Sequence, residues 1–167
     1  MTKLLLALNP HADVFSLEPN DQLHPIGVHL PFAAGSENIS MAFQVPGADP
    51  ILGTLQDHIA HGDYKIVQVR TLNYLLYGNA LKVVKPVFLK IDTEGYEFNV
   101  LKGADDCLER VQYLLVEVGN SESHAIYDAS DIYRFCRSYG FKNSRVVYAC
   151  YDGPQAPAYM DVFFWKD

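Results

Sequence analysis

The chain has 167 residues, of which 49% are apolar, 13% aromatic and 20% charged, and this composition excludes disordered, collagen-like and coiled-coil classes. A formal charge of -7 without basic clusters argues against a nucleic-acid partner. The length predicts a single domain over residues 1–167, and three widely spaced cysteines suggest neither a disulfide framework nor a zinc knuckle.

The chain opens with a short apolar run, MTKLLLALNP, which Asn9 and Pro10 stop. This run is too short for a signal peptide or a membrane span, so we expect a cytoplasmic protein without a membrane partner. Residues 3–8 are rich in helix formers and predict the last turns of a helix. Residues 14–17 predict a strand that ends at Glu18, before a Pro-Asn turn.

The middle of the chain combines β-type and helical patterns. Two β-type runs flank a turn at residues 35–38, and residues 46–62 are expected to form a long irregular loop. The segment "KIVQVR" predicts a strand, after which Thr71 caps a short helix that ends at Gly78. Residues 86–91 are strand formers without polar alternation, which predicts a strand covered on both faces of a parallel sheet.

Helices and strands also alternate in the C-terminal half. We expect a helix in "YEFNVLKGADDCLERV", weakened at Gly103, and a buried strand in "YLLVEVG" with Glu117 near its end. A helix from a Ser130 N-cap to Gly140 and two antiparallel β runs in the tail complete the pattern. This order predicts an α/β sheet with an antiparallel C-terminal hairpin.

Acidic residues stand at the predicted carboxyl ends of three strands: Glu18, Asp92 and Glu117. Ligands of open parallel sheets bind at this edge, because loops converge there and helix N-termini point their N–H groups toward it. One acid can accept hydrogen bonds from a ribose diol, and another can orient or deprotonate a hydroxyl. The alternative is structural. Glu18 caps a turn, and Asp92 and Glu94 stand near a helix N-terminus because the helix dipole stabilises negative charge there. Glu97 is expected to support that helix from a solvated face.

Four segments carry a more specific pattern: "FSLEPN", "VRTLNYLL", "LKIDTEGYEFNVLKGA" and "YLLVEVG". The third is close to K-I-D-x-E-G-x-E-x-x-V-L-x-G-A and resembles the signature of the FkbM-type family of S-adenosylmethionine-dependent methyltransferases. The resemblance covers residues 4–119 in register. It implies a class I, Rossmann-like methyltransferase fold with helices on both faces of the sheet. It also implies S-adenosylmethionine as cofactor and methylation of a hydroxyl on a small molecule or glycan.

The resemblance further implies three groups of site residues. The cofactor contacts are Glu18, Asn20 and Asp92, and the acceptor pocket holds Glu117 and His124. The catalytic residues are Asp92 and Glu94, either of which is a candidate for the base. The family pattern does not require a metal. A divalent cation would be better placed among the acids at positions 92, 94 and 117 than at the histidine pair His58 and His61, which lacks a third ligand.

One family feature has no counterpart in this sequence. A Gly-rich loop resembling D-x-G-A-N-x-G is expected about 20 residues before the ribose acid, but the first glycine of this chain is Gly27, beyond Glu18. We therefore expect an N-terminally shortened domain that lacks its first strand and can form a homo-oligomer through exposed sheet edges. The alternatives are a catalytically inactive binding or oligomerisation module, and a nucleotide- or sugar-binding domain of another reaction class.

Overall fold

The computed structural model describes residues 6–7, 9–44, 53–56, 64–78, 87–119, 127–151, 153 and 157–167. The strands are β1 (Phe15–Leu17), β2 (Val28–Leu30), β3 (Ala33–Ala34), β4 (Ser40–Gln44), β5 (Thr54–Gln56), β6 (Tyr64–Arg70), β7 (Val87–Ile91), β8 (Val111–Gly119), β9 (Asn143–Tyr151) and β10 (Pro157–Trp165). The helices are α1 (Leu72–Tyr77), α2 (Glu97–Lys102), α3 (Asp105–Leu108) and α4 (Ala129–Ser138). The predicted α/β class is confirmed. None of the described helices has both the length and the apolar character needed to cross a membrane.

The strands form three hydrogen-bonded sheets in the described part of the chain. Strands β1 and β2 run parallel as a two-stranded ribbon, and a small mixed sheet has the order β3-β6-β4-β5. The largest sheet has the order β7-β8-β10-β9, in which β7 and β8 are parallel and the last two strands are antiparallel. The predicted C-terminal hairpin is therefore present. No backbone hydrogen-bond ladder joins β1 to β7 within these residues.

One hydrophobic core joins the described helices to one face of the largest sheet. Leu114, Val116 and Val118 alternate into this core from β8, as the two-residue period of a strand requires. The helices contribute Leu72, Leu75, Val100, Leu101, Cys107, Leu108, Ile132 and Cys136. Complete burial of one large apolar side chain stabilises a fold by roughly 1.5–3 kcal/mol. This core therefore holds the carboxyl ends of β7 and β8 firmly against the helices.

The opposite face of this sheet carries a cluster of partly exposed aromatic rings. Phe88 is 37% exposed and Tyr113 is 40% exposed. Their ring centroids lie 6.4 and 6.1 Å from that of Phe163, which also contacts the Trp165 ring at 5.5 Å. The expected helices on both faces are thus not seen among the described residues. Exposed and more buried residues alternate along strand β7, so it is not covered on both faces as predicted. Phe88 is an apolar residue at an exposed position, and the sequence therefore does not show the usual alternation of polar and apolar residues.

Most of the locally encoded elements lie where the sequence predicts them. These are β1, β6, β8 and helix α1, whose N-cap Thr71 accepts a hydrogen bond from the Tyr74 N–H and which ends at Gly78. Strand β5 was missed, because it lies inside the predicted loop at residues 46–62 and pairs with β4. Pairing with a partner strand, rather than local sequence, defines this short element.

Two helix boundaries differ from their predictions. The helix expected after the acidic segment is divided into α2 and α3, since Gly103 ends α2 where its backbone lies against that of Gly35. Helix α4 has Asp128 as N-cap instead of Ser130. The Asp128 carboxylate accepts a hydrogen bond from the Ser130 N–H at 2.7 Å, and the Asp131 carboxylate accepts one from the Asp128 N–H at 3.3 Å. This reciprocal arrangement is a capping box, in which an acid replaces the usual Ser or Thr.

Candidate active site

A cavity of about 240 Å³ lies at the carboxyl ends of β1 and β7. Its charged residues are Glu18, which follows β1, and Asp92 and Glu94, which follow β7. The other walls are mostly apolar and come from Leu17, Pro19, Leu23, Ala33, Ala34, Phe43, Gly53, Leu55 and Thr93. Pockets for drug-sized ligands usually have roughly 300–1,000 Å³, so this cavity suits one part of such a ligand. The structure thus brings three of the predicted site residues to one space.

Glu117 adds a third carboxylate beside Asp92 and Glu94. One carboxylate oxygen from each of these residues lies within 4.8 Å of the other two. The parallel pairing of β7 with β8 explains this, because Ile91 is opposite Val116 and the next residues of both strands therefore reach the same edge. Oxygen ligands of this kind suit a hard divalent cation, and their negative charge also attracts an organic cation.

Burial and the neighbouring acids disfavour ionisation of the Glu117 carboxyl. Burial raises the pKa of the Glu117 carboxyl, the charges of Asp92, Glu94, Glu97 and Asp161 raise it further, and the value reaches about 8. The Lys90 ammonium group forms a salt bridge with Asp92. Glu117 therefore carries a proton over most of the neutral range and can exchange it near the pH at which enzymes commonly operate.

We expect Glu117→Gln to remove a pH dependence of the free energy of unfolding. The carboxyl pKa is about 4.5 in the unfolded chain and about 8 in the folded protein. Between these pH values the unfolded chain has lost a proton that the folded protein keeps, so the wild type loses stability as the pH rises. A pKa difference between the folded and unfolded states corresponds to about 1.4 kcal/mol of stability per pKa unit. This side chain is only half-buried, so solvent screening reduces the effect. We expect the variant to be more stable by about 1–2 kcal/mol above pH 8.

Urea unfolding of both proteins between pH 4 and pH 9 measures this difference. At the acidic end the neutral carboxyl and the amide should give similar stability, and the two curves should separate toward the alkaline end. Curves that stay parallel over the whole range would contradict the raised pKa of Glu117.

Glu18 uses one carboxylate oxygen in its own turn. Its Oε1 accepts a hydrogen bond from the Asn20 N–H at 2.8 Å, as the turn-capping alternative requires, while the side chain also borders the cavity. Asn20 is only 1% exposed, and its Oδ1 accepts a hydrogen bond from the Gln22 N–H at 3.1 Å. Asn20 thus supports the turn behind Glu18 and is not part of the cavity wall.

Two residues of the site were not identified from the sequence. Glu97, expected on a solvated face, is 1% exposed, because its carboxylate turns back and accepts hydrogen bonds from the N–H groups of Thr93 and Gly95. The Tyr127 hydroxyl donates a hydrogen bond to the second oxygen of this carboxylate. The local signal for Glu97 was its spacing, since an acid two residues after a turn glycine can reach unpaired turn N–H groups. Tyr127 has no such signal.

Some predicted site residues cannot be compared with the structure. His124, His58 and His61 lie outside the described residues, and so does most of the predicted N-terminal helix, of which residues 6–7 are helical. The proposed acceptor role of His124 therefore stays a prediction.

Comparison with known proteins identifies a family. Residues 3–142 match the model of the methyltransferase FkbM domain. Among curated proteins, the chain is similar to the hexuronic acid methyltransferase AglP of Haloferax volcanii, with 26% identity over 135 residues. The alignment covers 77% of this chain and 50% of AglP, so the chain spans about half the length of that relative. Comparison with solved structures gives no significant match.

Proposed function

Because the chain belongs to the FkbM methyltransferase family, we propose that it transfers a methyl group from S-adenosylmethionine to a hydroxyl oxygen, within a class I, Rossmann-like fold. The observation that carries this proposal is the meeting of Glu18 with Asp92 and Glu94 at one cavity. The name of AglP specifies hexuronic acid as the group that AglP methylates, and this favours a sugar or sugar acid as the acceptor class.

The cavity residues fit the adenosyl part of the cofactor. Glu18 provides carboxylate oxygens that can accept hydrogen bonds from ribose hydroxyls, and Leu17, Phe43 and Leu55 provide apolar surface for a base. When bound, S-adenosylmethionine supplies a methyl group on a positively charged sulfur. Asp92 and Glu94 add negative charge to the lining of the same cavity, where they would attract that charge.

The carboxylates also provide the proton acceptor that O-methylation needs. The acceptor hydroxyl must lose a proton as its oxygen bonds to the methyl carbon and the carbon–sulfur bond breaks. Asp92 and Glu94 were the sequence candidates for this base. Glu117 is better matched, because its pKa of about 8 lies near neutral pH, whereas the salt bridge of Asp92 with Lys90 suits that residue to orientation. We therefore assign proton removal to Glu117 and positioning of the reactants to Asp92 and Glu94.

Calorimetric titration with S-adenosylhomocysteine, the demethylated product, tests cofactor binding. We expect Glu18→Ala to bind about tenfold or more weakly than the wild type, since each lost hydrogen bond removes roughly 0.5–1.5 kcal/mol. Glu37→Ala is the matched control, because Glu37 is an exposed acid on the turn before β4 and does not line the cavity. Equal affinities for the wild type and Glu18→Ala, or an absence of binding by the wild type, would contradict the proposal.

Incubation with labelled S-adenosylmethionine and uronic-acid-containing glycans, followed by mass spectrometry, tests the acceptor class. An O-methyl product supports the proposed reaction. Cofactor binding without methyl transfer to any hydroxyl acceptor would support the non-catalytic alternative, which the partly exposed aromatic face of the largest sheet favours.

A further inference from the structure

A buried carboxylate organises the turn that carries the two cavity acids. Glu97 is the first residue of α2, and its Oε1 accepts hydrogen bonds from the Thr93 N–H at 2.8 Å and the Gly95 N–H at 3.1 Å. The Thr93 hydroxyl donates a third hydrogen bond to the same oxygen at 3.2 Å. The two backbone donors stand on either side of Glu94. The carboxylate therefore constrains the backbone of Glu94 from both of its neighbours.

The turn needs such a constraint because its backbone is strained. Glu94 has a φ of 53° and Gly95 has a φ of 96°, so two consecutive residues lie in the left-handed region. This region costs a non-glycine residue of the order of 1–3 kcal/mol, and it persists only where the surroundings enforce it. An unconstrained Glu94 would return to a right-handed or extended conformation, which would move its side chain away from Asp92 and Glu117.

Tyr127 completes the coordination of the Glu97 carboxylate from another element. Its hydroxyl donates to Oε2 at 2.5 Å, and its ring packs against the Phe98 ring with centroids 6.0 Å apart. Burial raises the pKa of the Tyr127 hydroxyl, and the nearby Glu97 charge and its hydrogen bond raise it further, so the hydroxyl keeps its proton and remains a donor. Because Asp128 caps α4, this hydrogen bond ties the start of α4 to the turn after β7.

We propose that Glu97 and Tyr127 are positioning residues that hold the turn of residues 92–95 in the conformation that presents Asp92 and Glu94 to the cavity. They do not contact a substrate and act through the turn. The inference rests on the proposed methyl transfer, since the benefit of an aligned turn is expected in turnover. A small displacement of reacting groups reduces a rate strongly, by up to about 100-fold for 1 Å.

Tyr127→Phe is the most direct test, because it removes the hydroxyl and leaves the ring. We expect kcat to fall about tenfold while KM for S-adenosylmethionine stays within about twofold, since alignment and not binding is lost. Amide hydrogen exchange at Thr93 and Gly95 should become about tenfold faster. Tyr133→Phe is the control, because Tyr133 lies on α4 against Phe164 and should change neither quantity. An unchanged kcat in an active enzyme, or unchanged exchange at both amides, would overturn the proposal.

A second pair of variants separates positioning from general core packing. Glu97→Gln keeps an acceptor oxygen for the turn amides and should retain more of kcat and of exchange protection than Glu97→Ala. If Glu97→Ala does not fold, Glu97→Gln and Tyr127→Phe still give the answer. An alanine variant with wild-type kcat and wild-type exchange would refute the role. If the wild type transfers no methyl group, the proposed function fails, while the exchange rates still decide whether the pair holds the turn.

Discussion

Asp92→Asn should lower kcat/KM for methyl transfer by about 100-fold or more, because preorganised charge at the reacting centre is usually the largest catalytic term. The substitution keeps the shape of the side chain and removes one negative charge from the cavity wall and from the salt bridge with Lys90. The fold should be retained, since Asp92 is partly exposed and lies outside the hydrophobic core. Steady-state kinetics and thermal unfolding of the same preparation measure both effects.

The Asp92 variant has an additional signature in its pH dependence. Among the charges that raise the Glu117 pKa, that of Asp92 has the largest effect. Its removal should therefore lower the pKa of Glu117, the proposed proton acceptor. The pH–rate profile should therefore shift toward lower pH. Glu109→Gln is the control, because Glu109 is an exposed acid at the end of α3. If the Asp92→Asn variant keeps wild-type kcat/KM, Asp92 does not take part in the reaction. If its pH–rate profile is not shifted, Glu117 is not the base.

Gly103→Ala should destabilise the protein by about 3 kcal/mol or more, or prevent folding altogether. A Cβ atom at Gly103 would lie 1.9 Å from the carbonyl oxygen and 2.9 Å from the carbonyl carbon of Gly35. Both contacts are with backbone, which cannot move aside as a flexible side chain would. The close approach brings the small sheet, through Gly35 after β3, against the junction of α2 and α3.

Urea unfolding compares this variant with Gly153→Ala. A Cβ atom at Gly153 would meet no atom within 4 Å, so that substitution should change the free energy of unfolding by about 0.5 kcal/mol or less. Equal midpoints for the two variants would show that the backbones at residues 35 and 103 are further apart than in the structure. Because Ala33 and Ala34 line the cavity, a partly folded Gly103→Ala protein should also bind S-adenosylhomocysteine more weakly.

Sequence patterns identified the elements that local physics encodes. Thr71 marks the start of α1 by its side-chain hydrogen bond, and Gly140 marks the end of α4 by a φ of 87°, which residues with a side chain rarely adopt. The meeting of Glu18 with Asp92 at one cavity was also anticipated, from the rule that ligands bind beyond the carboxyl ends of strands. That β1 and β7 lie in separate sheets was not anticipated.

Most of the features that were missed depend on contacts made in the folded protein that a local sequence pattern does not specify. The sequence suggested that Glu97 is a solvated acid at the start of a helix. Its burial is favourable because turn amides and the Tyr127 hydroxyl, 30 residues away, donate hydrogen bonds to its carboxylate. The N-cap of α4 was displaced by two residues because Asp128 and Ser130 are both good caps and local preference does not choose between them. The aromatic face could not be told from a buried strand, because apolar character alone does not show which face a neighbour covers.

The division of the strands into separate sheets determines how the cavity is held together. Glu18 follows the β1–β2 ribbon and Asp92 follows the β7–β8 pair, and among the described residues no backbone ladder crosses the space between them. Among the described residues the two sheets meet through packed side chains, and packed elements can slide by small amounts where hydrogen-bonded strands cannot. A ligand that contacts both Glu18 and Asp92 would therefore link the two sheets, and its length would set the distance between them in the bound protein.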